Sequence, residues 1–86
     1  MELNKNNSTE ILIDGIERES EKAVCVKCPV SWNANMHTRS FWFPKSCVKV
    51  HERTMEVATF LLDKLSRENA FKGYQMTFET GFVHAN

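Results

Sequence analysis

A small α+β domain is the fold class that these 86 residues predict: a curled antiparallel sheet of four to five strands packed on one amphipathic helix, in the order β-β-β-β-α-β. Three observations lead there. Apolar residues alternate with period two through "AVCVKCPV" and again through "GYQMTFET", as they do in half-buried strands. Between these runs, Met55, Ala58, Leu61, Leu62 and Leu65 recur at spacings of three and four, which makes an apolar stripe along a helix. One helix laid on one face of an antiparallel sheet is the natural assembly of such pieces, and enough curl would bring the sheet toward a small barrel.

The elements follow in order. Residues 1–8, "MELNKNNS", offer nothing to a core and read as a flexible terminus; 9–84 read as one domain. Ile11, Leu12, Ile13 and Ile16 place a strand over 9–18, with Asp14-Gly15 as a turn or bulge within it. In the next strand Val24, Val26, Cys28 and Val30 share one face. Pro29 lacks the N–H for a ladder bond and marks an edge or the end of full pairing there. The polar stretch 33–38 is expected to be a loop at the tip of a hairpin whose second strand contains "RSFWFP" and continues or bends after Pro44. Thr54 is a plausible N-cap for a helix over about 54–70, and Gly73 its terminator. A last strand starts near Gly73, with Phe82 and Val83 as its continuation.

Net charge is zero but unevenly spread. The first 21 residues carry Glu2, Glu10, Asp14, Glu17, Glu19 and Glu21 against Lys5 and Arg18. Residues 22–51 carry Lys22, Lys27, Arg39, Lys45 and Lys49 and no acid. Opposite charges exchanged across neighbouring strands would account for this. Glu17, Glu19 and Glu21, at alternate positions, share one strand face and read as the solvated side of an edge strand or as a surface that mimics a row of phosphates. The polar start and the lack of any run near the ~20 apolar residues of a membrane span predict a cytoplasmic protein without membrane contact.

The motifs of catalysis are missing. There is no Gly-x-Ser-x-Gly and no glycine-rich phosphate loop, so no catalytic residue and no cofactor is expected. Cys25, Cys28, Cys47, His37 and His51 raise the question of zinc. However, Cys25 and Cys28 sit three apart on a β-branched strand and so face opposite ways. Cys28 reads as a small core residue among valines. Three cysteines also suit a reduced chain better than a disulfide scaffold.

What remains is surface. In "RSFWFPKS", Phe41 and Phe43 share one face and Trp42 the other. The phenylalanines are the better pair for the helix, which leaves Trp42 beside Lys27 and Cys25 of the neighbouring strand. A tryptophan among cations suits a protein hot spot or stacking of single-stranded bases; the tail or first strand could also cover it. Trp32, Met36, Arg39, Trp42 and Lys45 are the candidates for binding a protein, and Lys22, Lys27, Arg39, Lys45 and Lys49 for binding nucleic acid. The tail strand is a possible edge for a homodimer.

One resemblance bears on this. Lys22-Ala23 opening one strand, then Trp42-x-Pro44-Lys45-Ser46, an apolar strand and a helix, resembles a pattern of small phage and mobile-element proteins. The likeness covers residues 22 to about 65, with extra aromatics on both sides of Trp42 and with Cys47 where a polar residue is usual. It implies a non-enzymatic accessory protein in the host cytoplasm that binds and inhibits or modulates host machinery. It also implies that Trp42-x-Pro44-Lys45-Ser46 is a shared structural turn. The private features would then be the acidic segment 10–21, the loop 32–38 and the tail.

Overall fold

Val24, Val26, Cys28 and Val30 project to one side of strand β3 (Ala23–Trp32), and all four are buried in the computed structural model, which describes residues 2–80. β3 is the spine of a four-stranded sheet. Strand β4 (Asn35–Pro44) pairs with its whole length, from Ala23↔Pro44 to Trp32↔Asn35. On its other side β2 (Gly15–Glu19) covers the first half, and β7 (Thr77–Phe78) meets Val30 and Ser31. Pro29 stands where β2 gives way to β7. β4 pairs straight past it and pairing resumes on the other side at Val30, so it marks a gap between two neighbours and not an edge or the end of full pairing.

The β3–β4 turn is tighter than the sequence suggests. Asn33 and Ala34 alone form it, at φ 47° and 69°. Two left-handed residues are what a type I′ hairpin requires, because that turn matches the strand twist. Met36, His37 and Thr38, expected in a loop, therefore belong to β4.

The second sheet has three strands in the order β1-β6-β5: β1 is Ser8–Leu12, β5 Val48–Val50 and β6 Thr54–Ala58. The chain crosses to it through a 3-10 turn at Lys45–Cys47, directly after Pro44. Glu79 ties the two sheets together. Its carbonyl accepts from the Leu12 N–H at 2.9 Å, and its N–H donates to the Pro29 carbonyl at 3.3 Å. The path β5-β6-β1, then Glu79, then β3-β4 is the curled sheet. Ile11, Val26, Val30, Phe43, Met55, Val57, Met76 and Phe78 join from both sheets in one core.

The helix corrects the sequence reading. It runs only over Thr59–Glu68 (α1), and its N-cap is Ala58, with no side-chain cap. Thr54 begins β6 instead, and its hydroxyl donates to the Glu10 carboxylate at 2.5 Å. "TMEVA" satisfies both periods. As a strand it buries Met55 and Val57 completely while Glu56 faces outward, and β1 and β5 satisfy its backbone on both sides. Within α1 Leu62 is buried, Leu61 and Leu65 pack partly on the core, and Phe60 is exposed. Gly73 does not end the helix. With Lys72 at φ 52° and Gly73 at φ 86°, it makes a turn closed by mutual bonds of Phe71 and Tyr74 at 2.8 and 3.0 Å. The order is thus β-β-β-β-β-β-α-β, still α+β but mostly sheet. Of the last strand expected from Gly73 only Thr77–Phe78 forms among the described residues, because Tyr74 is taken up by the Lys72-Gly73 turn, and its continuation at Phe82 and Val83 lies outside them.

The first residues are closed on themselves. The Asn4 side chain accepts from the Asn6 and Asn7 N–H groups, and the Asn4 carbonyl accepts from Ser8 at 3.0 Å. No helix among the described residues is long and apolar enough to cross a membrane.

Candidate functional site

The β3–β4 hairpin has two faces, and the candidate residues divide between them. Paired residues share a face. Val24↔Phe43 and Val26↔Phe41 therefore define the inner face, which continues past the core through Cys28↔Arg39, Val30↔His37 and Trp32↔Asn35. The outer face carries Cys25↔Trp42, Lys27↔Ser40, Pro29↔Thr38 and Ser31↔Met36.

On the inner face, toward the tip, lies a cleft of about 540 Å³. Trp32, His37, Arg39 and Phe41 form one wall, and the chain leaving the helix, Glu68 to Phe71, forms the other. Trp32 joins the walls: its indole N–H donates to the Asn69 carbonyl at 2.8 Å. Asn69 is fixed in turn, since its amide side chain caps the helix end on the Leu65 carbonyl at 2.9 Å. Across the hairpin, the Arg39 guanidinium lies 5.5 Å from the Trp32 ring centre and donates to the Thr38 carbonyl at 3.1 Å. The His37 ring stands edge-on to Trp32, also at 5.5 Å. The Lys72 ammonium sits 5.4 Å from the centre of Phe71. Among the described residues, Arg39 is thus the one cation and Glu68 the one acid that line the cleft, over aromatic walls.

The outer face is neutralised. The Glu17 carboxylate accepts from the Ser40 hydroxyl at 2.6 Å and lies 3.8 Å from the Lys27 ammonium. Glu19 pairs with Lys45 at 2.7 Å. The acidic strand does lie beside the basic one and exchanges charges with it, as the charge distribution suggests. Glu17 reaches over because β2 bulges between Ile16 and Arg18. Trp42 is 50% exposed on this face and Met36 54%.

Of the five residues expected to grip a protein, Trp32 and Arg39 come together in the cleft. Met36 and Trp42 lie on the opposite face, six residues and roughly 20 Å apart along β4. Lys45 sits at the far end of the hairpin, held by Glu19. The five bases proposed for nucleic acid do not form one track either. Lys22 adjoins the β2–β3 turn, Lys27 and Lys45 are ion-paired, Arg39 faces inward, and Lys49 stands opposite Glu56 on β5. Sequence reasoning missed Phe71, Asn69 and the inward turn of Arg39. A phenylalanine just before a Lys-Gly turn was the one available sign of an exposed aromatic there.

The cysteines sit apart from this cleft. Cys25 and Cys28 are both buried, and Cys47 is half-buried. Burial, with smaller contributions from Asp14 and then Cys25, pushes the Cys28 thiol up to about 12. No group of three or more His, Cys, Asp or Glu side chains is arranged to hold a metal ion among the described residues. Comparison of the chain with protein-family models, with curated proteins and with solved structures finds no match.

Proposed function

We propose that this chain is a non-enzymatic protein-binding accessory module, of the phage or mobile-element kind its Trp42-x-Pro44-Lys45-Ser46 stretch resembles, which inhibits or modulates host machinery. The cleft between the hairpin and the helix end is where it grips its partner. One observation carries this reading: a preorganised Trp32–Arg39 pair on an open aromatic cleft. Tryptophan, tyrosine and arginine dominate the energetics of protein interfaces. The Asn69 bond and the stacked guanidinium also reduce the ordering cost on binding. Arg39 has no carboxylate within ion-pair distance among the described residues, unlike Lys27 and Lys45. Its charge is available to an acidic group on the partner.

The test is capture of a partner from host lysate, followed by titration with Arg39→Ala and, as a control on the neutralised outer face, Lys27→Ala. Loss of a hot-spot arginine costs on the order of 2 kcal/mol, or about thirtyfold in affinity. The expected result is that loss for Arg39→Ala and little change for Lys27→Ala, with both variants folded. Equal affinity of Arg39→Ala and the parent chain would remove the cleft as the site. A second reading rests on Trp42, half-exposed beside Lys27: single-stranded nucleic acid stacked on the outer face. It predicts saturable quenching of tryptophan by a short oligonucleotide that weakens steeply with salt.

A further inference from the structure

We infer that β4 is the seam of a homodimer, formed by antiparallel pairing of β4 with β4 of a second copy about Arg39. The inference does not rest on the cleft, although its axis passes through Arg39, whose guanidinium already donates to the outward Thr38 carbonyl at 3.1 Å, so that carbonyl would have to accept a second bond. Among the described residues, β4 has β3 on one side and no strand on the other. The Asp14 N–H donates to the Lys27 carbonyl at 2.7 Å, which directs the odd-numbered residues of β3 toward β2. By the antiparallel register, Met36, Thr38, Ser40 and Trp42 therefore point their backbone groups away from β3. Long bare edges invite pairing, and proteins usually blunt them with lysines, prolines, bulges or short length. The other free edges are blunted: β2 has a bulge and three charged residues, and β5 has three residues and Lys49. β4 has ten residues, no lysine, and proline only at its last position.

The register follows from the side chains. A two-fold axis at Arg39 brings Thr38 opposite Ser40 of the second copy and Met36 opposite Trp42, all at positions with outward-directed backbone. Thr–Ser pairs across strands are favourable, and methionine sulfur against an aromatic ring adds to apolar burial. Met36 and Trp42 are the two exposed large apolar side chains of β4, and this register sets them against each other, whereas a two-residue shift places Trp42 against Thr38 or Ala34. Its cost is at the axis, where the two Arg39 residues face each other. Like charges directly opposite weaken a strand pair, so the dimer is reversible and salt strengthens it.

Sedimentation equilibrium of the full chain, with Met36→Lys, Ser40→Pro and Arg39→Thr, tests this. The 10.0 kDa chain is expected to reach twice that mass at micromolar to millimolar concentration. Met36→Lys, at an exposed position where folding is not at stake, should weaken association at least tenfold, and Ser40→Pro should abolish it by removing an outward N–H. Arg39→Thr should tighten it severalfold, the opposite of its effect on partner binding in the cleft. A monomer up to roughly 1 mM, or a dimer indifferent to Met36→Lys and weakened by Arg39→Thr, would overturn the inference.

Discussion

Cys28 shows how far a single residue is governed by its surroundings. It is fully buried among Val26, Val30 and Phe43, and its sulfur makes only a weak contact of 3.7 Å to the Val26 carbonyl. An ionised thiol there would be poorly solvated, so the native state keeps the proton until about pH 12, against 9.0 for an ordinary thiol. The sign follows directly. Below pH 9 both native and unfolded chains hold the proton, and stability is unaffected. Between about 9 and 12 only the unfolded chain releases it, so stability falls as pH rises through that window. Urea unfolding at pH 8 and pH 10.5 should show lower stability at the higher pH, and Cys28→Ala should flatten that dependence. An unchanged slope in Cys28→Ala would assign the effect to other groups. The sequence already marks Cys28 as core, because it continues the valine face of its strand. It does not show that Cys25, on the opposite face, is buried as well; the neighbouring Trp42 and Arg18 come from other parts of the sheet.

At the scale of elements, the β3–β4 hairpin depends on its two-residue turn. Ala34 holds φ 69° with a Cβ, which costs roughly 1–2 kcal/mol relative to a right-handed residue. Glycine avoids that clash, and Asn-Gly is the favoured type I′ pair. Ala34→Gly should therefore stabilise the protein by about 1 kcal/mol, read from the urea midpoint at unchanged slope. A loss of stability would mean that Asn33-Ala34 does not adopt the left-handed pair. The hairpin's existence was legible from alternation on both sides of a polar stretch, but its tightness was not, since Asn-Ala is a weak turn signal beside Asn-Gly. β6 was illegible for another reason. Met55 and Ala58 fit the helical stripe, and only the presence of β1 and β5 on its two sides makes the strand the lower free-energy choice.

For the molecule as a whole, Phe78 and Glu79 are the keystone. Phe78 packs its ring 5.6 Å from Phe41 and 6.5 Å from Phe43, and it lies in the same buried cluster as Ile11 and Met55 of the other sheet. The next residue bonds to both sheets through its backbone. Phe78→Ala should cost about 3–5 kcal/mol, much of the roughly 5–15 kcal/mol available to a domain and more serious in one this small. Both sheets should melt in one transition, with tryptophan fluorescence and far-ultraviolet dichroism coincident. Separate transitions would show that the sheets fold independently and that the stitch at Glu79 is secondary.

The sequence alone determined the α+β class and the core face of β3, and it offered charge exchange between the acidic and basic strands as one reading. These follow from local periodicity and composition, which act over a few residues. It read 9–18 as one strand, which the structure divides into β1 and β2 of different sheets. The tertiary structure alone decided that 54–58 is a strand, that Arg39 turns inward to Trp32 while Trp42 and Met36 turn outward, and that Phe71 closes a cleft with them. Each of these depends on which distant segment supplies the hydrogen bonds or the covering surface. Such partners are fixed by how the whole chain folds back, and spacing along the sequence does not carry that information.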